Sequence, residues 1–126
     1  MEKIIYKNEL LGIVIRTLPN GTTPLTDEKE PLQVMGLKHE KDTILKAHAH
    51  APRERVTARL QECLVVKKGK IKIDLYGDDK KLFKCLDLSA GDLFISMGGG
   101  LGIHFADDAE VFEMKNGPFK EDKILI

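Results

Sequence analysis

His48-Ala49-His50 sets two imidazoles two residues apart. In an extended strand such positions project to one side with Cβ atoms about 7 Å apart, near enough to share one metal ion. Glu62 follows, in an inward-facing register with Leu60, Leu64 and Val66. A carboxylate among aliphatic side chains is costly to bury unless something compensates it. A metal held with the two imidazoles would do so, and so would a hydrogen-bonded histidinium or an arginine. Arg53, Arg55 and Arg59 lie between the histidine pair and Glu62. Guanidinium groups suit a clamp on carboxylate or phosphate, although the same run also reads as a solvated charged loop. His39 sits in the charged turn Lys38-His39-Glu40-Lys41 and reads as a surface residue, while His104 stands near Asp107 and Asp108. Gly98-Gly99-Gly100 follows a strand but opens no helix and precedes no Gly-Lys-Ser/Thr, which excludes a P-loop.

The elements that must position these groups are short. Turn signals recur at Pro19-Asn20-Gly21, Lys68-Gly69, Gly77-Asp78-Asp79, Ala90-Gly91-Asp92, Gly98-Gly99-Gly100 and Asn116-Gly117-Pro118. Runs of about five to nine residues rich in Val, Ile, Leu and Phe lie between them, a spacing that predicts an all-β sandwich or barrel. Ile71, Ile73 and Leu75 share one strand face, opposite Lys70, Lys72 and Asp74; Leu93, Ile95 and Met97 share another. The alternation predicts a strand with one core face in each case. It also predicts two hairpins, 60–67 with 70–76 at Lys68-Gly69, and 70–76 with 80–88 at Gly77-Asp78-Asp79. Gln61 and Cys63, opposite in phase to Glu62, are expected at solvent or a partner. Phe112 and Met114 are expected in the core. Ala51 to Arg59 contains Pro52, Val56 and Thr57 and reads as a loop, not a helix.

The chain of 126 residues reads as one domain, 1–126. Its 20 Lys plus Arg balance 20 Asp plus Glu, so no basic excess draws it to nucleic acid. No apolar run reaches bilayer-spanning length, and the N-terminus lacks the apolar core of a signal peptide; no membrane partner and a cytoplasmic location are expected. Two cysteines, Cys63 and Cys85, are too few for a disulfide framework.

His48-x-His50, Glu62 and then Gly69 after six residues resemble the first cupin motif, with a longer spacer than usual before the glutamate. Gly91 followed by Met97, Gly99 and His104 resembles the second. Met97 stands where that motif has proline, and His104 falls two residues late, with Leu101 and Gly102 at the places where its histidine belongs. The chain is also similar to small bacterial cupins of unassigned activity. These share an Arg-rich stretch ending in Gln-Glu (Arg59 to Glu62) and a Lys-x-Gly-Pro-aromatic segment (Lys115 to Phe119). The resemblance implies an all-β, double-stranded β-helix or jelly-roll barrel. It implies a divalent transition metal (Mn, Fe, Ni, Cu or Zn) held by His48, His50, Glu62 and, if a glycine bulge turns it inward, His104. A small oxygen-bearing ligand and a homodimer are implied too. Two alternatives stand beside the metallocupin. In one, a metal-free sugar-nucleotide isomerase or epimerase uses His48 and His50 as acid and base and Arg53, Arg55 or Arg59 to hold the diphosphate. In the other, the chain is a non-catalytic small-molecule binding module.

Overall fold

Branched aliphatics alternating with charges form strands here because each strand must hide one side from water. The computed structural model describes all 126 residues, with ten strands and no helix. These are β1 (Glu2–Tyr6), β2 (Glu9–Ile15), β3 (Gly21–Pro24), β4 (Met35–Lys38), β5 (Glu62–Lys68), β6 (Lys70–Tyr76), β7 (Leu82–Ser89), β8 (Leu93–Ser96), β9 (Gly100–His104) and β10 (Glu110–Lys115). A large sheet has the order β1-β2-β8-β5-β10, a small one the order β7-β6-β9, and β3 pairs with β4 alone. Every pairing is antiparallel. The sheets are separate ladders and do not close into a barrel. No helix is long and apolar enough to cross a membrane.

The main core lies between the two larger sheets. Ile4, Val14, Leu64, Val66 and Phe94 come from the large sheet, and Ile71, Ile73, Leu75 and Leu88 from the small one. Removing each such side chain from water is worth roughly 1.5–3 kcal/mol. Ile71, Ile73 and Leu75 face inward as the alternation predicts, and β6 and β7 form the expected hairpin around Gly77-Asp78-Asp79. A second cluster covers the other face of the large sheet. It joins Ile13, Ile15, Cys63, Ile95 and Met97 to Leu25, with Leu32 and Val34 packed against it. The central strands are therefore buried on both faces, which explains the unbroken apolar run through β2.

Three expectations need correction. Lys68-Gly69 does not join a hairpin, since β5 belongs to the large sheet and β6 to the small one. The apolar faces of these strands look at each other, so the chain turns a corner instead of pairing. Gly69 makes that corner at φ +80°, where an added Cβ would strike the Asp108 carbonyl oxygen. Gln61 and Cys63 are not at solvent: both are 1% exposed, under the second apolar layer. Phe112 and Met114 are not in the core, being 55% and 45% exposed. They stand opposite Val65 and Cys63, on a face that the second layer leaves bare at β10.

Candidate functional site

Glu62 opens β5, in register with Ser96 of β8 on one side and Lys115 of β10 on the other. Its phase with Leu64 turns it toward the space between the sheets, at their open end. Burial raises its carboxyl above the usual range, and the nearby Glu113 charge adds to that, against the opposing pull of Lys115. Lys115 Nζ lies 3.9 Å from Glu62 Oε1 and 3.3 Å from Glu113 Oε1. The Lys115 ammonium is raised in turn, first by its hydrogen bond to Glu113.

Two adjoining clefts share Glu62 as a wall. The larger, about 480 Å³, runs from Thr57–Leu60 past Lys115 to the tail residues 116–123. The smaller, about 280 Å³, is bounded by Leu60, Glu62, Ser96, Gly98, Gly99, Leu101 and Asp122. Arg59, Lys115, Lys120 and Lys123 mix with Glu62, Glu121 and Asp122 around the larger cleft. Such a lining offers donors and acceptors in similar numbers, at a size suited to a small polar molecule.

A polar brace holds the base of this site. Gln61 Nε2 donates to Glu30 Oε2 at 2.6 Å, and Arg59 donates to the same oxygen at 2.8 Å. Gln61 Oε1 accepts from Leu32 N–H at 3.1 Å. Asn116 Oδ1 accepts from Gln61 N–H at 2.8 Å, while its Nδ2 donates to Arg59 O and Thr57 Oγ1. No buried side-chain polar atom in the protein lacks a partner.

The expected ligands are scattered. His48 and His50 lie in a stretch without strands, where every residue from 39 to 60 is exposed. Their rings meet edge-on with centroids 5.1 Å apart. His48 Nδ1 lies 3.1 Å from Lys46 O and donates to it, since a carbonyl only accepts. Neither ring lines either cleft. His104 ends β9 opposite Lys72, on the outer face of the small sheet. The β6–β9 ladder runs without a bulge, so nothing turns His104 inward. Leu101, three residues earlier, lines the smaller cleft together with Glu62. No three His, Cys, Asp or Glu side chains converge as a metal site, so the implied metal does not fit the residues as they are placed. Of Arg53, Arg55 and Arg59, only Arg59 lines a cleft; Arg55 donates a hydrogen bond to the Arg53 carbonyl.

Gln61, Glu30, Asn116 and the tail residues 117–123 were not singled out as site residues by the sequence. The available signals are the Asn116-Gly117-Pro118 turn and the Lys115 to Phe119 segment that carries part of the resemblance. No protein-family model, curated protein or solved structure matches this chain.

Proposed function

We propose that this chain is a cupin-type β protein that binds a small oxygen-rich molecule, of the sugar or hydroxy-acid class, in the clefts around Glu62. The observation that carries the reading is the Glu62 carboxyl itself. It is half-buried, raised by burial, and set as the shared wall of two clefts, where the first cupin motif would put its glutamate. A raised carboxyl serves as a hydrogen-bond donor when protonated and an acceptor when ionised. Arg59 and Lys115 supply fixed positive charge for a ligand oxyanion. The reading is a binding module: the imidazoles at 48 and 50 do not reach the clefts, and no acid–base or metal step is assigned to them.

Thermal unfolding with a panel of sugars, hydroxy acids and nucleotide-sugars tests this. A ligand at a hundred times its Kd stabilises by about 2.7 kcal/mol. We expect dose-dependent stabilisation by a member of the panel, lost in Glu62→Gln. No stabilisation at millimolar concentration overturns the proposal. Elemental analysis of tag-free protein discriminates further: stoichiometric metal that vanishes in Glu62→Gln would replace this reading with a metal-centred one using His48 and His50.

A further inference from the structure

The walls of the Glu62 clefts are not all built from the sheets. Residues 117–123 form one side of the larger cleft, and Asp122 borders the smaller one as well. Hydrogen bonding stops just before this stretch, at Asn116, which holds Thr57, Arg59 and Gln61. No hydrogen bond or ion pair fixes residues 117–126. Lys120, Glu121, Asp122 and Lys123 therefore line the larger cleft with their charged groups unpaired. Something other than polar contact must keep this wall in place.

Ile126 supplies the contact. It is the least exposed of the large apolar side chains in the stretch, at 60%, against 76% for Ile124, 85% for Phe119 and 91% for Leu125. Its Cδ1 occupies the space where Gly100 lacks a side chain: a Cβ built at Gly100 would collide with it. Gly100 opens β9, the edge strand of the small sheet, opposite Tyr76. Its backbone is not in the left-handed region, so the missing side chain serves space and not conformation. Strand parity puts Gly100 with His104 on the outer face of that sheet. The stretch thus leaves the large sheet at Asn116, crosses the open end between the sheets at Asp122, and reaches the far side of β9 at Ile126.

We infer that residues 117–126 are a strap that closes over the Glu62 clefts, with Asn116 as its fixed end and Ile126 in the Gly100 socket as its latch. Gly100 and Ile126 are then positioning residues: they line neither cleft, yet they set whether one wall is present. The inference rests on the clefts being the ligand site proposed above. A latch of one largely exposed side chain is weak, because apolar stabilisation scales with the area removed from water. The strap therefore opens and recloses readily. Opening admits a ligand, and closing brings the unpaired charges of residues 120–123 around it. An open form populated at about a tenth leaves room for up to about a tenfold rise when the latch is lost.

Thiol accessibility tests the strap without any ligand. Ser96 borders the smaller cleft, so Ser96→Cys in a Cys85→Ser background places one reporter thiol beneath the strap. Cys63 is buried, its thiol pushed up to about 11, and contributes only background. The reagent is the aromatic disulfide dithiobis-nitrobenzoate. Two changes undo the latch from opposite sides: Ile126→Ser removes the side chain, and Gly100→Ala fills its socket. Each should speed modification of the reporter by up to about tenfold, with an unchanged far-ultraviolet spectrum. Leu125→Ser makes the same kind of change one residue away, at a side chain 91% exposed, and should leave the rate as it was. Unchanged rates in the two latch variants, or equal acceleration by Leu125→Ser, overturn the inference. A second measurement keeps Ser96 and uses whichever sugar, hydroxy acid or nucleotide-sugar stabilises the wild type. Its Kd should rise by up to about tenfold in both latch variants, through faster dissociation. An unchanged Kd overturns the strap and leaves the clefts standing as the ligand site. If nothing in the panel stabilises the wild type, the ligand site falls, and the thiol rates still decide whether residues 117–126 cover the clefts.

Discussion

Gln61 and Glu30 are joined by a 2.6 Å hydrogen bond across a gap of 31 residues. The amide is 1% exposed, yet both of its ends are used. The bond ties the segment before β4 to the entrance of β5, and the Gln61 backbone adds the tail through Asn116.

Gln61→Leu should therefore destabilise the protein by about 1–3 kcal/mol, because the Leu32 N–H loses its acceptor and the Glu30 carboxylate loses a donor inside the second apolar layer. Urea denaturation reads the loss. Gln61→Glu should cost more than the isosteric change suggests, since it sets a second carboxylate against Glu30. Equal stability of the Leu variant and the wild type would show that the brace contributes nothing.

Glu62 predicts a pH dependence of the opposite sign to most carboxylates. Its folded pKa lies above its unfolded value, so the folded state holds the proton more tightly. The native state is then favoured below the ordinary carboxyl range and loses that advantage as pH rises through the folded value. Glu62→Gln, which keeps the shape without the charge, should match or exceed wild-type stability at pH 7, with the gain shrinking toward pH 4. Unfolding free energies across that range check the sign. A variant that is clearly less stable at pH 7 and recovers in acid would mean the Lys115 contact outweighs burial.

Local alternation made β6 legible, and it made Glu62 legible as a carboxylate pointing between sheets. What local pattern does not carry is which strands meet. Lys68-Gly69 suits a hairpin or a corner equally, and the outcome depends on β6 finding β7 and β9 as neighbours. Alternation assigns one wet face to each strand and so predicts Gln61 outward. That face is dry here only because Leu25, Leu32 and Val34 fold over it from a segment broken by turns and charges. The converse holds at β10, where Phe112 and Met114 have core composition but stand beyond the reach of that cover. His104 shows how fine the parity is: three residues after Leu101, it takes the other side of β9.

Asp79 predicts an acid sensitivity confined to a narrow window. Its carboxylate accepts from Tyr6 Oη at 2.8 Å, Lys7 Nζ at 2.9 Å and Lys81 N–H at 3.1 Å. These bonds, that of Lys7 first, lower its pKa from 3.8 to about 2. A depressed folded pKa contributes stability above the unfolded value and loses it as pH falls through the folded one. The contribution is thus full above pH 4 and gone near pH 2. Asp79→Asn should flatten the stability profile between those limits while leaving its slope between pH 5 and 7 unchanged. An unchanged acid limb in the variant would remove Asp79 from the account.

Gly98 and Gly99 separate backbone strain from simple crowding. Both wall the smaller cleft in the turn between β8 and β9. Gly99 sits at φ +72°, and a Cβ there would collide with the Tyr76 carbonyl oxygen at the end of β6. Gly98 has no such angle, and its Cβ would meet only Leu11 Cδ2 at 3.4 Å. Gly99→Ala should cost about 1–3 kcal/mol in backbone strain, with a further loss from prising β9 away from β6. Gly98→Ala should stay within about 0.5 kcal/mol of wild type. Ligand-induced stabilisation should fall with the first change and survive the second, because only the first forces the backbone of the cleft wall away from Tyr76. Denaturation curves with and without ligand decide both points. If the two alanines behaved alike, the turn would be tolerating substitution by moving as a whole, and Gly99 would not be what holds the cleft wall in register.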